Sequence, residues 1–142
     1  MQYIYLTHNF YRDHSMYREI LTKANRPYLQ LFVSINNVDF AIPLRSHISH
    51  NNFVIWSDKK NRCGLDFTKA VVISKPTYID TQTRPQLRQN EFNALKGKEL
   101  AAEKMMIRVI KTYKKAINNP DVPRYNNLRK YCTLKYFKKY IC

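Results

Sequence analysis

The residues best suited to chemistry are Arg45-Ser46-His47-Ile48-Ser49-His50, a short polar loop that follows the apolar run Phe40-Ala41-Ile42-Pro43-Leu44. Two imidazoles three residues apart can accept and donate protons near neutral pH. Arginine presents a rigid fork of N–H donors that fits a phosphate. RNA supplies its own nucleophile, the ribose 2′-OH. A protein that takes the proton from this hydroxyl, stabilises the five-coordinate phosphorus and protonates the departing 5′ oxygen cuts the chain and leaves a 2′,3′-cyclic phosphate. General acid–base action contributes about 10²–10⁴-fold, and preorganised donors at the developing charge add similar factors. His47 and His50 suit the first role, and Arg45 and Ser46 the second. None of these steps requires a metal. His47-x-x-His50 with Cys63 or His8 fits no common zinc spacing, and Asp39, Asp58, Asp66 and Asp80 are scattered along the chain. The expectation is chemistry without a metal or cofactor.

The rest of the chain points to a polyanion as partner. Lys and Arg number 25 against 10 Asp and Glu, a formal net charge of +15. Such an excess repels itself in the folded state, and a polyanion relieves the repulsion. The excess is concentrated late: residues 1–86 carry 11 basic and 6 acidic side chains, residues 87–142 carry 14 and 4. Only 2 glycines exclude a glycine-rich phosphate loop. No apolar run approaches the ~18 residues of a membrane span, and the start Met1-Gln2-Tyr3-Ile4-Tyr5-Leu6 lacks the form of a signal peptide. A cytoplasmic protein without membrane contact is expected. Cys63, Cys132 and Cys142, odd in number and irregular in spacing, read as reduced thiols. With 142 residues, 44% of them hydrophobic, the chain suits one domain, 1–142, with a real core.

The elements that must position the loop are legible in part. Tyr3-Ile4-Tyr5-Leu6 reads as a strand, and Thr7 as the cap of a helix with apolar spacing over 11–22. Asn25-Arg26-Pro27 interrupts it. Tyr28 to Ile35 and Val38 to Ile42 are rich in strand formers and flank Asn36-Asn37, which predicts a β-hairpin. Phe53-Val54-Ile55-Trp56 and Lys69-Ala70-Val71-Val72-Ile73 are further strands. Together these predict a curled antiparallel sheet or small barrel. Beyond Pro85 the pattern turns helical: a short helix over 86–95 closed near Gly97, and a long one over 99–117 with Leu100, Met106, Ile107, Ile110, Tyr113 and Ile117 as its apolar positions. Residues 125–142 read as helical. The fold class is α+β.

The same C-terminal region offers candidates for holding RNA. Lys111, Lys114 and Lys115 lie on the long helix. Tyr125, Tyr131, Tyr136, Phe137 and Tyr140 interleave with Arg129, Lys130 and further lysines. Aromatic faces stack bases and cations hold phosphates, although such rings can equally dock a helix on the core. Arg26, just before the hairpin, could reach the mouth of the loop.

Several of these segments, in this order, resemble the type III toxin–antitoxin endoribonucleases, the ToxN, AbiQ, CptN and TenpN toxins, most closely the TenpN branch. The resemblance rests on Asn25-Arg26-Pro27-Tyr28, on Phe40 to His47, and on Cys63-Gly64-Leu65-Asp66-Phe67-Thr68-Lys69-Ala70-Val71-Val72-Ile73. It continues through Arg88 to Lys98 and Ile110 to Ala116. It implies a twisted β-core of the MazF/Kid-like, SH3-like barrel kind with added helices. It also implies an RNase that arrests growth and aborts phage infection, with cellular or phage RNA as substrate. The implied partner is a small repeated RNA antitoxin, a pseudoknot in form, which the toxin processes and which then inhibits it in a closed protein–RNA assembly. By position, the family's Pro-Leu-x-Ser loop falls on Pro43-Leu44-Arg45-Ser46, its basic residue at the hairpin on Arg26 beside Tyr28, and its strand lysine on Lys69. Where the ToxN type has threonine this chain has Arg45, and where it has a lysine two residues after the serine this chain has Ile48. His47 with Arg45 is expected to take over that lysine's work. A non-catalytic basic RNA-binding protein is the alternative.

Overall fold

A computed structural model describes residues 1–22 and 28–142. The hairpin organises it. Strand β2 (Leu29–Ile35) pairs antiparallel with β3 (Val38–Arg45). Asn36 and Asn37 adopt φ of 51° and 64°, the left-handed pair that a two-residue turn needs and asparagine tolerates. Strand β1 (Gln2–Tyr5) adds to the outer edge of β2. The other edge of β3 is shared. Its first half pairs with β6 (Val71–Val72), and its end pairs with β5 (Cys63–Asp66), which in turn pairs with β4 (Val54–Asp58). The result is a six-stranded antiparallel sheet with path β1-β2-β3-β5-β4 and β6 beside β3. Among the described residues the sheet does not close on itself.

Several expectations change. The first helix, α1, spans His8–Asp13, earlier and shorter than 11–22, and the Thr7 hydroxyl donates to Thr77 O instead of capping it. His14 ends the helix: its ring bonds Phe10 O and stacks on the Phe10 ring at 4.1 Å. The interruption at Asn25-Arg26-Pro27 lies outside the described residues. The strand expected over Lys69–Ile73 shrinks to Val71–Val72, and β5 is a strand the sequence concealed. Its Gly64 explains why: a Cβ there would sit 2.4 Å from Ile55 O and 2.9 Å from Trp56 Cα. Strand β4 approaches that closely only because glycine is bare.

Helix α2 (Gln89–Leu95) ends at Gly97, which has φ 77°. Helix α3 (Glu99–Asn118) turns Met106 and Tyr113 to the core as expected, with Ile110 and Ile117 packed against it. Ala102, Met106, Val109, Tyr113 and Ala116 are buried, while Leu100 and Ile107 are exposed. Two alanines on the inner face admit close packing, and close packing decides the rotation. The tail is broken into α4 (Asn126–Tyr131), a 3₁₀ turn over Thr133–Tyr136 and α5 (Lys138–Ile141). Thr133 pins it, its hydroxyl donating to Thr68 O and Ala70 O. Among the described residues no helix is long and apolar enough to cross a membrane. The three cysteines are free thiols.

Candidate functional site

The end of β3 and the end of β5 lie side by side, with Arg45 opposite Gly64 and Leu44 opposite Leu65. This register brings Arg45 to Asp66, the last residue of β5. Asp66 is fully buried and accepts four hydrogen bonds. Its Oδ2 takes one from Arg45 Nη1 and one from His50 Nε2, each at 3.0 Å. Its Oδ1 takes one from Thr68 N at 3.1 Å and one from Thr68 Oγ1 at 2.6 Å. These fill the carboxylate's lone-pair sites. Burial pushes the Asp66 pKa up. The hydrogen bonds from His50 and Thr68 and the charges of His50 and Arg45 outweigh burial and hold it below the ordinary value. The same carboxylate caps the 3₁₀ turn Phe67–Lys69, so it also sets where Lys69 emerges.

The loop after β3 is held from below and from behind. Ile48 is buried as a peg, and its N–H donates to Arg62 O. Arg62 donates from Nε to Ile48 O and from Nη2 to His50 O and Asn51 Oδ1, and its guanidinium lies 4.7 Å from the Trp56 ring centroid.

The two histidines differ in what they can do. Asn52 N donates to His50 Nδ1 at 3.1 Å while Nε2 faces Asp66. A proton on Nε2, with Nδ1 accepting, satisfies both contacts. Both nitrogens of His50 are therefore engaged. His47 is exposed, makes no hydrogen bond among the described residues and sits at φ 57°. This backbone conformation is strained for a residue other than glycine and turns the side chain out of the loop.

The loop separates two concavities that share Ser49. The first, about 660 Å³, is lined by Arg45, His50, Thr68 and Lys69 together with Tyr125, Leu128 and Tyr131. The second, about 750 Å³, holds Ser46 and His47 with Asp58, Lys60, Arg62 and Arg88. The four candidates from one loop thus divide, two to each side. Lys69 joins Arg45 and His50 and donates to Tyr131 O at 3.0 Å. Burial lowers the Lys69 pKa, and the Asp66 charge opposes this only in part.

The remaining candidates lie elsewhere. Arg129 spends its guanidinium within the fold: Nη1 donates to Ala116 O and Asn119 O, and Nη2 to Val122 O and Asn126 Oδ1. It ties the end of α3 to α4 and has few donors left for a phosphate. Lys111 and Lys115 are exposed and Lys114 half-buried on α3; of that stretch, Thr112 lines the first cavity. Lys130 is exposed, its Nζ 5.2 Å from the Tyr131 ring centroid. Tyr28 is half-buried just ahead of β2. Arg26 lies outside the described residues. Of the interleaved aromatics, Phe137 is buried, Tyr136 stacks on Tyr17 at 4.3 Å and Tyr140 packs on the core, whereas Tyr125 and Tyr131 face the cavity.

Sequence reasoning missed Asp66, Thr68 and Arg62 as members of the site. The signal for Asp66 was a lone carboxylate inside Gly-Leu-Asp-Phe-Thr-Lys-Ala-Val-Val, because a charge in an apolar run needs partners. Among the described residues no three His, Cys, Asp or Glu side chains gather as a metal site would. Compared with family models, curated proteins and solved structures, the chain matches none.

Proposed function

We propose that this chain is a metal-independent endoribonuclease toxin of the type III toxin–antitoxin kind, acting at the loop Arg45–His50. The observation that carries the reading is a free imidazole, His47, on a braced loop whose neighbour Arg45 is fixed by a buried carboxylate. In this account RNA lies across the loop. His47 takes the 2′-OH proton, the oxygen attacks phosphorus, and the 5′ oxygen leaves with a proton supplied by water. The products are a 2′,3′-cyclic phosphate and a 5′-OH. Arg45 and Ser46 stabilise the phosphorane charge. His50, with both nitrogens occupied, is a positioning residue that keeps Asp66 and hence Arg45 in place.

The sequence resemblance extends the proposal. The open, twisted sheet would be a MazF/Kid-like core, the inhibitor a small repeated RNA in a closed assembly, and the outcome growth arrest in the cytoplasm during phage infection. The engagement of His50 favours one rival, a basic RNA-binding protein without catalysis, since it leaves a single free imidazole at the loop. Purified His47→Ala and Ser46→Ala proteins decide between them. The toxin reading expects cleavage to fall by about 10²-fold or more in His47→Ala, the scale of one lost proton-transfer group, with RNA binding retained. Wild-type cleavage by His47→Ala contradicts it.

A further inference from the structure

We infer that the first cavity is a subsite for one unpaired nucleotide, with its base stacked on Tyr131 and Tyr125 and its phosphate on Arg45 and Lys69. The inference rests on the RNA-directed reading above and names what that site admits.

Three observations support it. The cavity, about 660 Å³, is of the size that small-molecule pockets have, and it is a concavity that a base-paired helix cannot enter. Its lining joins aromatic and cationic side chains. Tyr131 is 47% exposed, an amphipathic ring kept on the surface beside Leu128 and Tyr125. The same wall carries Arg45 and Lys69, with Lys69 Nζ donating to Tyr131 O at 3.0 Å, and among the described residues no acidic side chain lines it. Asp66 lies beneath, its oxygens already filled. A ligand that joins a flat π-face to an anionic group fits this lining, and a nucleotide is such a ligand. Third, Arg45 has a buried Nε–H with no partner among the described residues. A buried donor without an acceptor is costly, and a phosphate oxygen would satisfy it.

The second cavity then takes the backbone on the other side of Ser49, where Lys60 and Arg88 share the lining with Asp58. Cutting at the crest would fall beside the nucleotide held in the first cavity. Asn127, exposed on α4 and also lining that cavity, can offer a donor and an acceptor to the edge of the base and is the residue placed to select it.

The test uses RNA octamers of each single base with 2′-O-methyl ribose, which cannot be cut by 2′-OH attack, so binding is read apart from catalysis. Fluorescence anisotropy is measured on wild type, Tyr131→Ala and Asn127→Ala, with a blunt duplex for comparison. Tyr131 is exposed, and its bond with Lys69 is through the main chain, so the variant should fold; circular dichroism checks this. Loss of one stacked base should weaken the tightest octamer about fivefold to a hundredfold. The salt dependence should stay unchanged, because no phosphate contact is removed. Asn127→Ala should narrow the differences among the four octamers, and the duplex should bind more weakly. Equal affinities of wild type and Tyr131→Ala, duplex bound as tightly as single strand, or no octamer bound at all would overturn the subsite. Failure to cut an ordinary RNA, with the Tyr131 effect present, would overturn the catalytic reading alone.

Discussion

Asp66→Asn keeps the shape of the side chain and removes the charge that Arg45 and His50 share. In the wild type Oδ2 accepts from both at 3.0 Å. An amide can leave its oxygen with Thr68, but its NH₂ then meets the donors of Arg45 and His50. Removing one partner of a buried ion pair costs about 3–5 kcal/mol. Arg45 and His50 retain 20% and 29% exposure, so water recovers part of this and the lower end, about 3 kcal/mol, is expected. For a domain of this size that corresponds to a melting temperature lower by about 10 °C at neutral pH. The pH dependence follows from direction alone. The folded pKa of Asp66 lies below its ordinary value, 3.8. The carboxylate's stabilisation is therefore complete above that value and is lost as the pH falls through the folded pKa. Thermal melts followed by circular dichroism at a series of pH values should show the gap between wild type and Asp66→Asn constant near neutrality and closing in acid. Equal melting temperatures at neutral pH, or a gap undiminished at the acid end, would refute the role assigned to this carboxylate.

Other perturbations test the supports of the site. Arg62→Ala removes three hydrogen bonds that hold the loop; limited proteolysis should then cut within 46–52 faster than in wild type, and cleavage of RNA should drop although Arg62 takes no proton. Gly64→Ala places a methyl 2.4 Å from Ile55 O and should cost about 1–3 kcal/mol, the usual cost of overpacking, read as a lower denaturation midpoint. Arg129→Lys breaks the ties between α3 and α4, whose donors a single ammonium cannot reproduce; it should lower stability by about 1–3 kcal/mol while changing the salt dependence of RNA binding little.

The hairpin was legible because its turn chemistry and its strand formers agree, and the α+β order followed from where the apolar period changes. Strand β5 was not legible: four residues with a glycine and an aspartate look like a turn, and only the approach of Ile55 and Trp56 explains them. On α3 Met106 and Tyr113 were read correctly, while Leu100 and Ile107 lie outside because Ala102 and Ala116 carry little hydrophobic weight yet permit the closest packing. The loop Arg45–His50 stood out through residue types, but its division into two sides depends on Ile48 pointing inward and on Arg62 reaching across from a distant turn. His50 and His47 are equivalent in sequence; the Asn52 N–H and the Asp66 carboxylate make them different. Asp66 belongs to the site through the register of β3 against β5, which no local pattern encodes.

The central claim, that this loop cuts RNA by 2′-OH attack, is tested most directly by incubating purified protein with a defined RNA in excess EDTA and mapping the product ends. The account predicts cleavage at discrete positions, 2′,3′-cyclic phosphate and 5′-OH ends, and resistance of an otherwise identical RNA with 2′-deoxyribose on the 5′ side of the cut. RNA that is bound but left intact, or cleavage that survives the 2′-deoxy replacement, would contradict it.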